Sequence, residues 1–240
     1  MSSTIRLYFP DKIQSDLSPH LTNEQTHYVK DVMRLKIGDK ISIFNILGEW
    51  TAFIESYEKN GTKIKIMEKV RDKVNEKNIW LAFSPIKQNP MNFIIQKGTE
   101  LGVQKFIPIL AERTIVREIN IERIKKIIVE SSEQSNRISI PEIHKPESLK
   151  NFLYTFPKNG FLVFGNINSN KKNLTEILKK KIDSPICILI GPEGDFSEKE
   201  RISIIDLNQA HSISLAKNIL KAETAALAAM SIVNYYLNFS

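Results

Sequence analysis

Cysteine and histidine are scarce in this chain of 240 residues, which contains one cysteine, Cys187, and four histidines. One cysteine excludes an intrachain disulfide, and its position inside an apolar run predicts a small core residue rather than a nucleophile. The histidines do not have the close spacing of metal ligands, so we expect no metal site. They are His20, His27, His144 and His211.

Long apolar runs and nucleotide-binding glycine motifs are also missing. No run reaches the roughly 18 residues of a membrane span, and no apolar core of a signal peptide follows the first basic residue, so we expect a cytoplasmic protein. The patterns Gly-x-x-x-x-Gly-Lys-Ser/Thr and, after the first strand, Gly-x-Gly-x-x-Gly do not occur. Their absence disfavours a Walker-type nucleotidase and a Rossmann dehydrogenase.

The residues that are present have the composition of a globular protein with an excess of positive charge. Hydrophobic residues make up 42% of the chain and charged residues 25%, and the formal net charge is +7. A basic protein favours polyanionic partners, of which nucleic acid is the natural candidate.

Residues 1–72 have the pattern of a small β-barrel. Asn60-Gly61 separates two strand-like runs and is typical of a hairpin turn. One helix, at 23–32, interrupts the strands, and the charged segment 71–77 is predicted to be a linker. The predicted strands are 5–9, 40–45, 50–56 and 63–68.

Strands and helices alternate from residue 73 to residue 240. This alternation predicts an α/β domain with a mostly parallel sheet and helices on both of its faces. The predicted strands are 79–83, 106–110, 161–164, 186–190 and 212–215. The predicted helices are 92–101, 121–135, 147–154, 174–181, 198–207 and 221–237.

An apolar run that ends in a glycine turn is the main candidate for a site. Ile186–Ile190 has the unalternating pattern of a strand buried on both faces. Gly191 and Gly194 allow a sharp turn and a close approach of a ligand to the main chain, and Ser197 with Glu200 forms a capping box. Strand, turn and helix start together predict a ligand crevice at the carboxyl end of a sheet, although an ordinary structural turn explains these residues equally well.

Three further stretches are candidates only in combination. Residues 96–103, Gln-Lys-Gly-Thr-Glu-Leu-Gly-Val, are typical of a helix stop. Residues 133–137, Glu-Gln-Ser-Asn-Arg, are typical of a solvated helix end, and residues 215–225 join the last predicted strand to the last helix. Each stretch alone is more typical of structure than of function.

Taken in order with Gly-Pro-Glu-Gly at 191–194, these stretches resemble the RsmE family of SPOUT methyltransferases. An Arg-x-Tyr start at Arg6 and a Val-Met-Arg element at 32–34 extend the resemblance over nearly the whole chain. The resemblance implies that S-adenosylmethionine donates a methyl group to the ring nitrogen N3 of a uridine in small-subunit ribosomal RNA. The RNA would be part of an assembled or assembling subunit.

Three positions depart from the family pattern. Asp195 replaces the last glycine of Gly-Pro-Glu-Gly-Gly, and Ala216 replaces a glycine in the later motif. Lys221 replaces an arginine, so the charge is kept but the planar fork of donors is not.

The resemblance also implies an architecture. Residues 1–72 would form a PUA-like RNA-binding β-barrel, and residues 73–240 a SPOUT α/β methyltransferase domain with a C-terminal trefoil knot. The chain would form a homodimer. General topology rules argue against knots, so the resemblance alone implies this one.

The resemblance further implies roles for individual residues. Arg137 would stabilise a developing uracil anion, and Glu133, Glu193 or Glu223 would orient the base or accept a proton. RNA contacts would come from Arg6, Arg34, Lys97 and Lys221. The donor would be bound by Phe164, Gly165, Ile190, Gly191, Pro192, Glu193, Gly194, Leu215, Ala216, Asn218, Ile219, Leu220 and Thr224.

Two rival functions stay open beside this one. A ribose 2′-hydroxyl RNA methyltransferase would have the same fold. A ribosome-assembly RNA-binding protein without catalysis would keep the RNA-binding features alone.

Overall fold

The computed structural model describes residues 5–15, 17–165, 178 and 184–239. The chain divides into two compact units, and each has a hydrophobic core of its own. The first unit comprises residues 1–75 with 132–140, and the second comprises residues 76–131 with 141–240. No local sequence pattern predicted that segment 132–140 belongs with the N-terminal residues.

The first unit is built on a four-stranded sheet in the order β1-β2-β3-β4. Strand β1 is parallel to β2, whereas β2, β3 and β4 are antiparallel neighbours. Apolar side chains such as Ile43, Ile54 and Ile64 form its buried core. The four predicted strands are confirmed, with the bounds β1 Arg6–Tyr8, β2 Lys40–Asn45, β3 Gly48–Glu58 and β4 Gly61–Asp72.

The predicted hairpin at Asn60-Gly61 is confirmed, because Gly61 pairs with Glu58 across the turn. Gly61 has a φ of +128°, and a Cβ there would lie 2.7 Å from a backbone oxygen, so the turn requires glycine. The predicted linker is wrong for its first two residues, since β4 continues to Asp72. Arg71 forms an ion pair with Glu49 at 3.1 Å within the sheet, a non-local partner that composition cannot reveal.

The helix predicted at 23–32 is present in two parts. Helix α1, Asn23–His27, begins with a capping box between Thr22 and Gln25, and a π-helical turn, Tyr28–Val32, continues it. The exposed Arg34 follows with a left-handed φ of 56°.

The second unit contains a sheet in the order β11-β9-β10-β5-β6-β7, with β8 pairing to β6. All strand pairs among the described residues of this sheet are parallel, which confirms the prediction of a mostly parallel sheet. Strand β10 lies between β9 and β5 and is buried along its whole length, which explains its unalternating apolar sequence. The bounds are β5 Ile79–Phe83, β6 Val103–Leu110, β7 Glu142–Ile143, β8 Glu147–Ser148, β9 Phe161–Gly165, β10 Ile186–Ile190 and β11 Ala210–Ile213.

Helices cover both faces of this sheet. On one face, Gly98 of α2 lies so close to Phe106 and to Met230 of α6 that an added Cβ would be 2.8 Å from the phenylalanine ring. On the other face, Phe152 of α4 and Ile204 of α5 pack into one buried cluster with β-strand side chains. The bounds are α2 Gln88–Glu100, α3 Ile121–Gln134, α4 Leu149–Thr155, α5 Glu198–Ile205 and α6 Ala222–Phe239.

Several predicted bounds in this unit are wrong, including the start of β6, which lies at Val103 rather than at Phe106. Helix α2 begins four residues earlier than predicted because a proline, Pro90, is tolerated in the first turn of a helix. Helix α4 begins later because Glu147 and Ser148 pair with β6 as a short strand. Strand β11 ends at Ile213 instead of Leu215, since its register with β9 starts at Ala210.

Two predictions depend on residues that the structure does not describe. The helix predicted at 174–181 lies outside the described residues except for Leu178. The predicted trefoil knot stays a prediction, because the chain path between these strands includes residues 166–177 and 179–183. Within the described ranges, no helix has both the length and the apolar character needed to cross a membrane.

Candidate functional site

The residues predicted to line a crevice lie where neighbouring strands of the parallel sheet end. Ile190 at the end of β10 pairs with Phe83 at the end of β5, and Leu189 pairs with Phe164 near the end of β9. The backbone amide of Ser84 donates to the carbonyl oxygen of Ile190 at 2.9 Å. Because parallel strands end at the same edge, the segments after β11, β9, β10 and β5 leave the sheet side by side.

The glycine turn after β10 is shaped by tight packing. A Cβ on Gly191 would lie 2.9 Å from the ring of Phe196, which is only 4% exposed. A Cβ on Gly194 would meet the side chain of Arg113 at an ordinary 3.5 Å. Gly191 is therefore required by the close approach of a buried ring, whereas Gly194 has room for a methyl group.

Arg113, in the segment after β6, holds the glycine turn. Its Nη1 donates to the carbonyl oxygen of Gly194 at 2.7 Å. The neighbouring amide of Glu112 donates to the Glu200 carboxylate at 2.8 Å. Thr114 is buried, and its hydroxyl accepts a hydrogen bond from the amide of Ala111, so the segment is itself a fixed turn.

Asp195 holds the other end of the turn. It adopts a left-handed φ of 58°, and its carboxylate accepts a hydrogen bond from the amide of Phe196 at 2.8 Å. It also forms an ion pair with Arg201 at 2.7 Å. The predicted capping box between Ser197 and Glu200 is confirmed and starts α5 at Glu198.

The segment 214–221 connects β11 to α6, contains most of the second group of predicted donor residues and is mostly exposed. Ile219 is 81% exposed, which is unusual for so apolar a side chain. A Cβ on Gly165 would lie 3.9 Å from the side chain of Leu215, so the ends of β9 and of this segment are in contact range. The structure thus brings together Phe164–Gly165, Ile190–Gly194 and Leu215 at one edge. Thr224 and Glu223 follow in the first turn of α6.

The other predicted catalytic residues, Glu133 and Arg137, lie in the first unit. The carboxylate of Glu133 accepts a hydrogen bond from the backbone amide of Tyr8 at 2.8 Å. Arg137 is only 7% exposed, and its Nε donates to the hydroxyl of Ser139 at 3.0 Å.

The residues predicted to contact RNA are placed differently from one another. The side chain of Arg6 is only 10% exposed and forms an ion pair with Glu49 at 3.1 Å, so it faces inward. Arg34 and Lys221 are exposed, and Lys97 pairs with Glu100 at 2.8 Å.

The only cysteine of the chain, Cys187, lies in the core of the second unit. Burial raises the pKa of the fully buried Cys187 thiol far above its usual value, against a small opposite effect of the Ala82 backbone. Cys187 is therefore a core residue, as predicted. No group of three or more His, Cys, Asp or Glu side chains suited to a metal ion occurs in the described part of the chain.

Sequence reasoning missed Arg113 and Arg201, which fix the glycine turn. Arg113 binds a backbone carbonyl 81 residues away, and such an acceptor has no sequence signature. Arg201 had a weak signal, because it lies one turn inside α5 and within reach of Asp195, two residues before the helix cap.

Comparison with known proteins relates both units to enzymes that modify RNA. The family model described as "RNA methyltransferase domain" matches residues 73–234, and the model "RNA methyltransferase PUA domain" matches residues 21–67. The ribosomal RNA small subunit methyltransferase E of Rickettsia conorii is 32% identical over 231 residues, which cover 95% of this chain and 94% of that protein. The protein of the same name from Bacillus subtilis is 28% identical, over 90% of this chain and 89% of its own length.

Solved structures of two similar proteins contain the methyl donor. A ribosomal RNA small subunit methyltransferase E from Neisseria gonorrhoeae, bound to S-adenosyl methionine, superposes with a TM-score of 0.89 at 27% identity, covering 99% of this chain and 100% of that one. A putative methyltransferase from Legionella pneumophila, in complex with the same cofactor, gives a TM-score of 0.85 at 29% identity and covers 96% of each chain.

Proposed function

This chain belongs to the ribosomal RNA small subunit methyltransferase E family, and we propose that it methylates the ring nitrogen N3 of a uridine in small-subunit ribosomal RNA. S-Adenosylmethionine is the proposed methyl donor. The observation that supports this most is the glycine turn at 191–194, which follows the central buried strand at the edge where four neighbouring strands end.

The residues at this edge fit the proposed donor. The hydroxyl of Ser84 is buried and has no hydrogen-bond partner among the described residues, so it can bind a polar group of a ligand. The exposed Ile219 offers apolar contact for an adenine ring. We propose that the donor is held by the ends of β9 and β10, by the turn 191–194, by segment 215–220 and by Thr224.

When bound, the donor supplies an electrophilic methyl group, and the chain must align the uracil with it and manage the uracil proton. We propose that Arg137 stabilises the negative charge that develops on the uracil. Its burial supports this role, since a charge acts more strongly where water is excluded. Glu133 or Glu223 would orient the base or accept the proton.

RNA binding is proposed for residues 1–72, and methyl transfer for residues 73–240. Arg34, Lys97 and Lys221 are the candidate contacts to the RNA backbone. The target uridine must leave its base stack to reach the donor. We propose further that the chain acts in the cytoplasm on an assembled or assembling small subunit.

We also propose a homodimer. Along the last helix, Tyr235 and Phe239 are 66% and 74% exposed, and their rings lie 5.8 Å apart. An exposed aromatic pair on a helix whose other side is core supports this proposal, because exposed apolar patches often serve as protein–protein contacts.

Nucleoside analysis of small-subunit RNA from a deletion strain tests the proposed reaction. We expect one N3-methyluridine to disappear and to return when the wild-type gene is restored. Loss of a ribose-methylated nucleoside instead would identify the 2′-hydroxyl methyltransferase, and an unchanged nucleoside profile would identify a non-catalytic assembly protein.

A further inference from the structure

Arg6 of β1 uses the whole hydrogen-bonding capacity of its guanidinium. Its Nε–H and one Nη2–H group donate hydrogen bonds to the carboxylate of Glu49, each at 3.1 Å. The other donors bind the carbonyl oxygens of Ser132 at 3.1 Å, Glu133 at 2.9 Å and Arg137 at 2.9 Å. Since arginine has five N–H donors, all of them are engaged inside the first unit.

Glu49 and Arg71 complete this cluster. Glu49 is only 5% exposed, and its carboxylate also accepts hydrogen bonds from Ser42 and, at 3.1 Å, from Arg71. The same nitrogen of Arg71 donates to the carbonyl and side-chain oxygens of Asn136, at 3.0 and 2.8 Å. A buried carboxylate with several partners is costly to disrupt, because removal of one partner leaves a charge uncompensated.

The groups that Arg6 and Arg71 bind belong to one helix end. Helix α3 ends at Gln134, Asn136 has a left-handed φ of 60°, and the amide of Arg137 donates to the carbonyl oxygen of Ser132 at 3.2 Å. This is a Schellman-type helix end, in which the last carbonyl groups need donors from outside the helix. Arg6 supplies donors to the carbonyl groups of Ser132 and Glu133, and Arg71 binds Asn136 just beyond the helix. Both carry the sign of charge that a helix C-terminus favours.

The turn 132–137 also carries the two residues proposed to act on the substrate. Glu133 is bound twice, through its carbonyl by Arg6 and through its carboxylate by the amide of Tyr8. Arg137 is bound through its carbonyl by Arg6. The hydrogen bonds therefore fix the backbone from which both functional side chains extend.

We propose that Arg6, Glu49 and Arg71 are positioning residues for methyl transfer, which hold the turn 132–137 in the one conformation that presents Glu133 and Arg137 to the RNA. This proposal rests on the proposed function. It assigns Arg6 to the turn rather than to the RNA, and it makes the Arg-x-Tyr start and the Glu-Gln-Ser-Asn-Arg stretch parts of one structure.

The test is the substitution Arg6→Lys, which keeps the charge but cannot reproduce the planar fork. We expect faster hydrogen exchange at the amide of Arg137, which the bond to Ser132 protects. We also expect single-turnover methylation at saturating RNA and donor to slow by about 10- to 100-fold, as for a slightly misplaced catalytic group. Donor affinity, RNA affinity and the salt dependence of RNA binding should stay unchanged.

Two further variants complete the design. Arg117→Lys makes the same exchange at an exposed arginine of the second unit and should change none of these quantities. Glu49→Gln removes the carboxylate charge that fixes Arg6, and it should reproduce the effects of Arg6→Lys. If Arg6→Lys does not fold, as a thermal melt would show, Glu49→Gln alone decides the question.

Each outcome separates this proposal from its alternatives. Unchanged exchange at Arg137 would show that Arg6 does not hold the turn. Faster exchange with a normal methylation rate would show that the turn does not position the chemistry. Weaker RNA binding, with the slope of log binding constant against log salt concentration reduced in magnitude by about one, would make Arg6 an RNA contact and overturn the proposal. If the wild-type protein methylates no uridine, the proposed function fails, whereas the exchange measurement still reports on the turn.

Discussion

Replacing Gly191 by alanine tests whether the glycine turn is shaped by the ring of Phe196. The new methyl carbon would lie 2.9 Å from Cε2 of the ring and 3.2 Å from two further ring carbons. Favourable carbon contacts are about 3.5 to 4.0 Å, so ring or turn must move by several tenths of an ångström. Phe196 packs in the buried cluster that includes Leu189 and Ile204, which limits the movement of the ring.

The expected cost follows from this overlap. Extra carbon in a packed core typically destabilises a protein by about 1 to 3 kcal/mol. For a chain of this size, that corresponds to a decrease in Tm of roughly 2 to 12 °C. A displaced turn also misplaces the backbone groups proposed to bind the donor, and a loss of about 1.4 kcal/mol in binding weakens the affinity tenfold. We expect calorimetric titration of Gly191→Ala with S-adenosylmethionine to show at least this decrease.

Two variants make the result specific. Gly194→Ala adds the same methyl group in the same turn, but at 3.5 Å from Arg113, and should keep nearly wild-type stability. Phe196→Leu combined with Gly191→Ala makes room for the methyl group and should recover part of the lost donor affinity. Wild-type melting and affinity in Gly191→Ala would refute the packing argument, and equal losses in Gly194→Ala would attribute the effect to glycine flexibility instead.

Three other substitutions test neighbouring parts of the structure. Arg137→Ala should lower the single-turnover methylation rate by about 100- to 1,000-fold, and Arg137→Lys should lower it by less. A lower Tm with a normal rate would instead show that Arg137 has a structural role. Burial alone would raise the pKa of Glu49, but hydrogen bonds from Arg6 and Ser42 and the nearby arginine charges outweigh it and lower the pKa. The ionised Glu49 carboxylate therefore stabilises the fold fully above its unfolded-state pKa, and this stabilisation is lost as the pH falls through its folded-state pKa. In urea unfolding, the free energy of Glu49→Gln should not show this loss at acidic pH. Asp195→Ala should lower the unfolding free energy by about 1 kcal/mol and Asp195→Gly by less, since glycine adopts the left-handed conformation freely; equal values would contradict this.

Two central strands of the second unit, β5 and β10, were predictable because their environment is uniform. Both strands have the predicted bounds, since a strand buried on both faces must be apolar at every position. Polar residues and turns mark both ends of such a run. Local sequence therefore determines where these strands begin and end.

Bounds were predicted wrongly where a residue distant in sequence determines the local structure, or where proline occupies a helix position that tolerates it. The charged end of β4 looks like a linker, but Arg71 is ordered by Glu49, 22 residues earlier in the chain. Glu147 and Ser148 look like a helix start, but a parallel neighbour draws them into a strand. Pro90 looks like a helix breaker, yet position three of α2 needs no amide donor.

The loops of the candidate site were predicted from the sequence, but the side chains that hold these loops in place were not. The glycine turn has a local signature, because glycines and a capping box act within a few residues. Arg6 and Arg113 are anchored by carbonyl oxygens 81 or more residues away. A charged residue near the end of a strand has the same sequence pattern whether it is solvated or bound to such an oxygen.

The use of a backbone acceptor also explains how the glycine turn 191–194 accommodates Asp195, which replaces the glycine of the family pattern. Arg113 holds the carbonyl oxygen of Gly194, and a carbonyl is present whichever residue follows it. The position after it must adopt a left-handed conformation, which glycine enters freely and aspartate tolerates. Asp195 then offsets the cost with its ion pair to Arg201 and its hydrogen bond to the next amide. Asp195 therefore stabilises the left-handed conformation of this turn without a glycine, and it leaves the backbone groups of 191–194, which we propose bind the donor, in place.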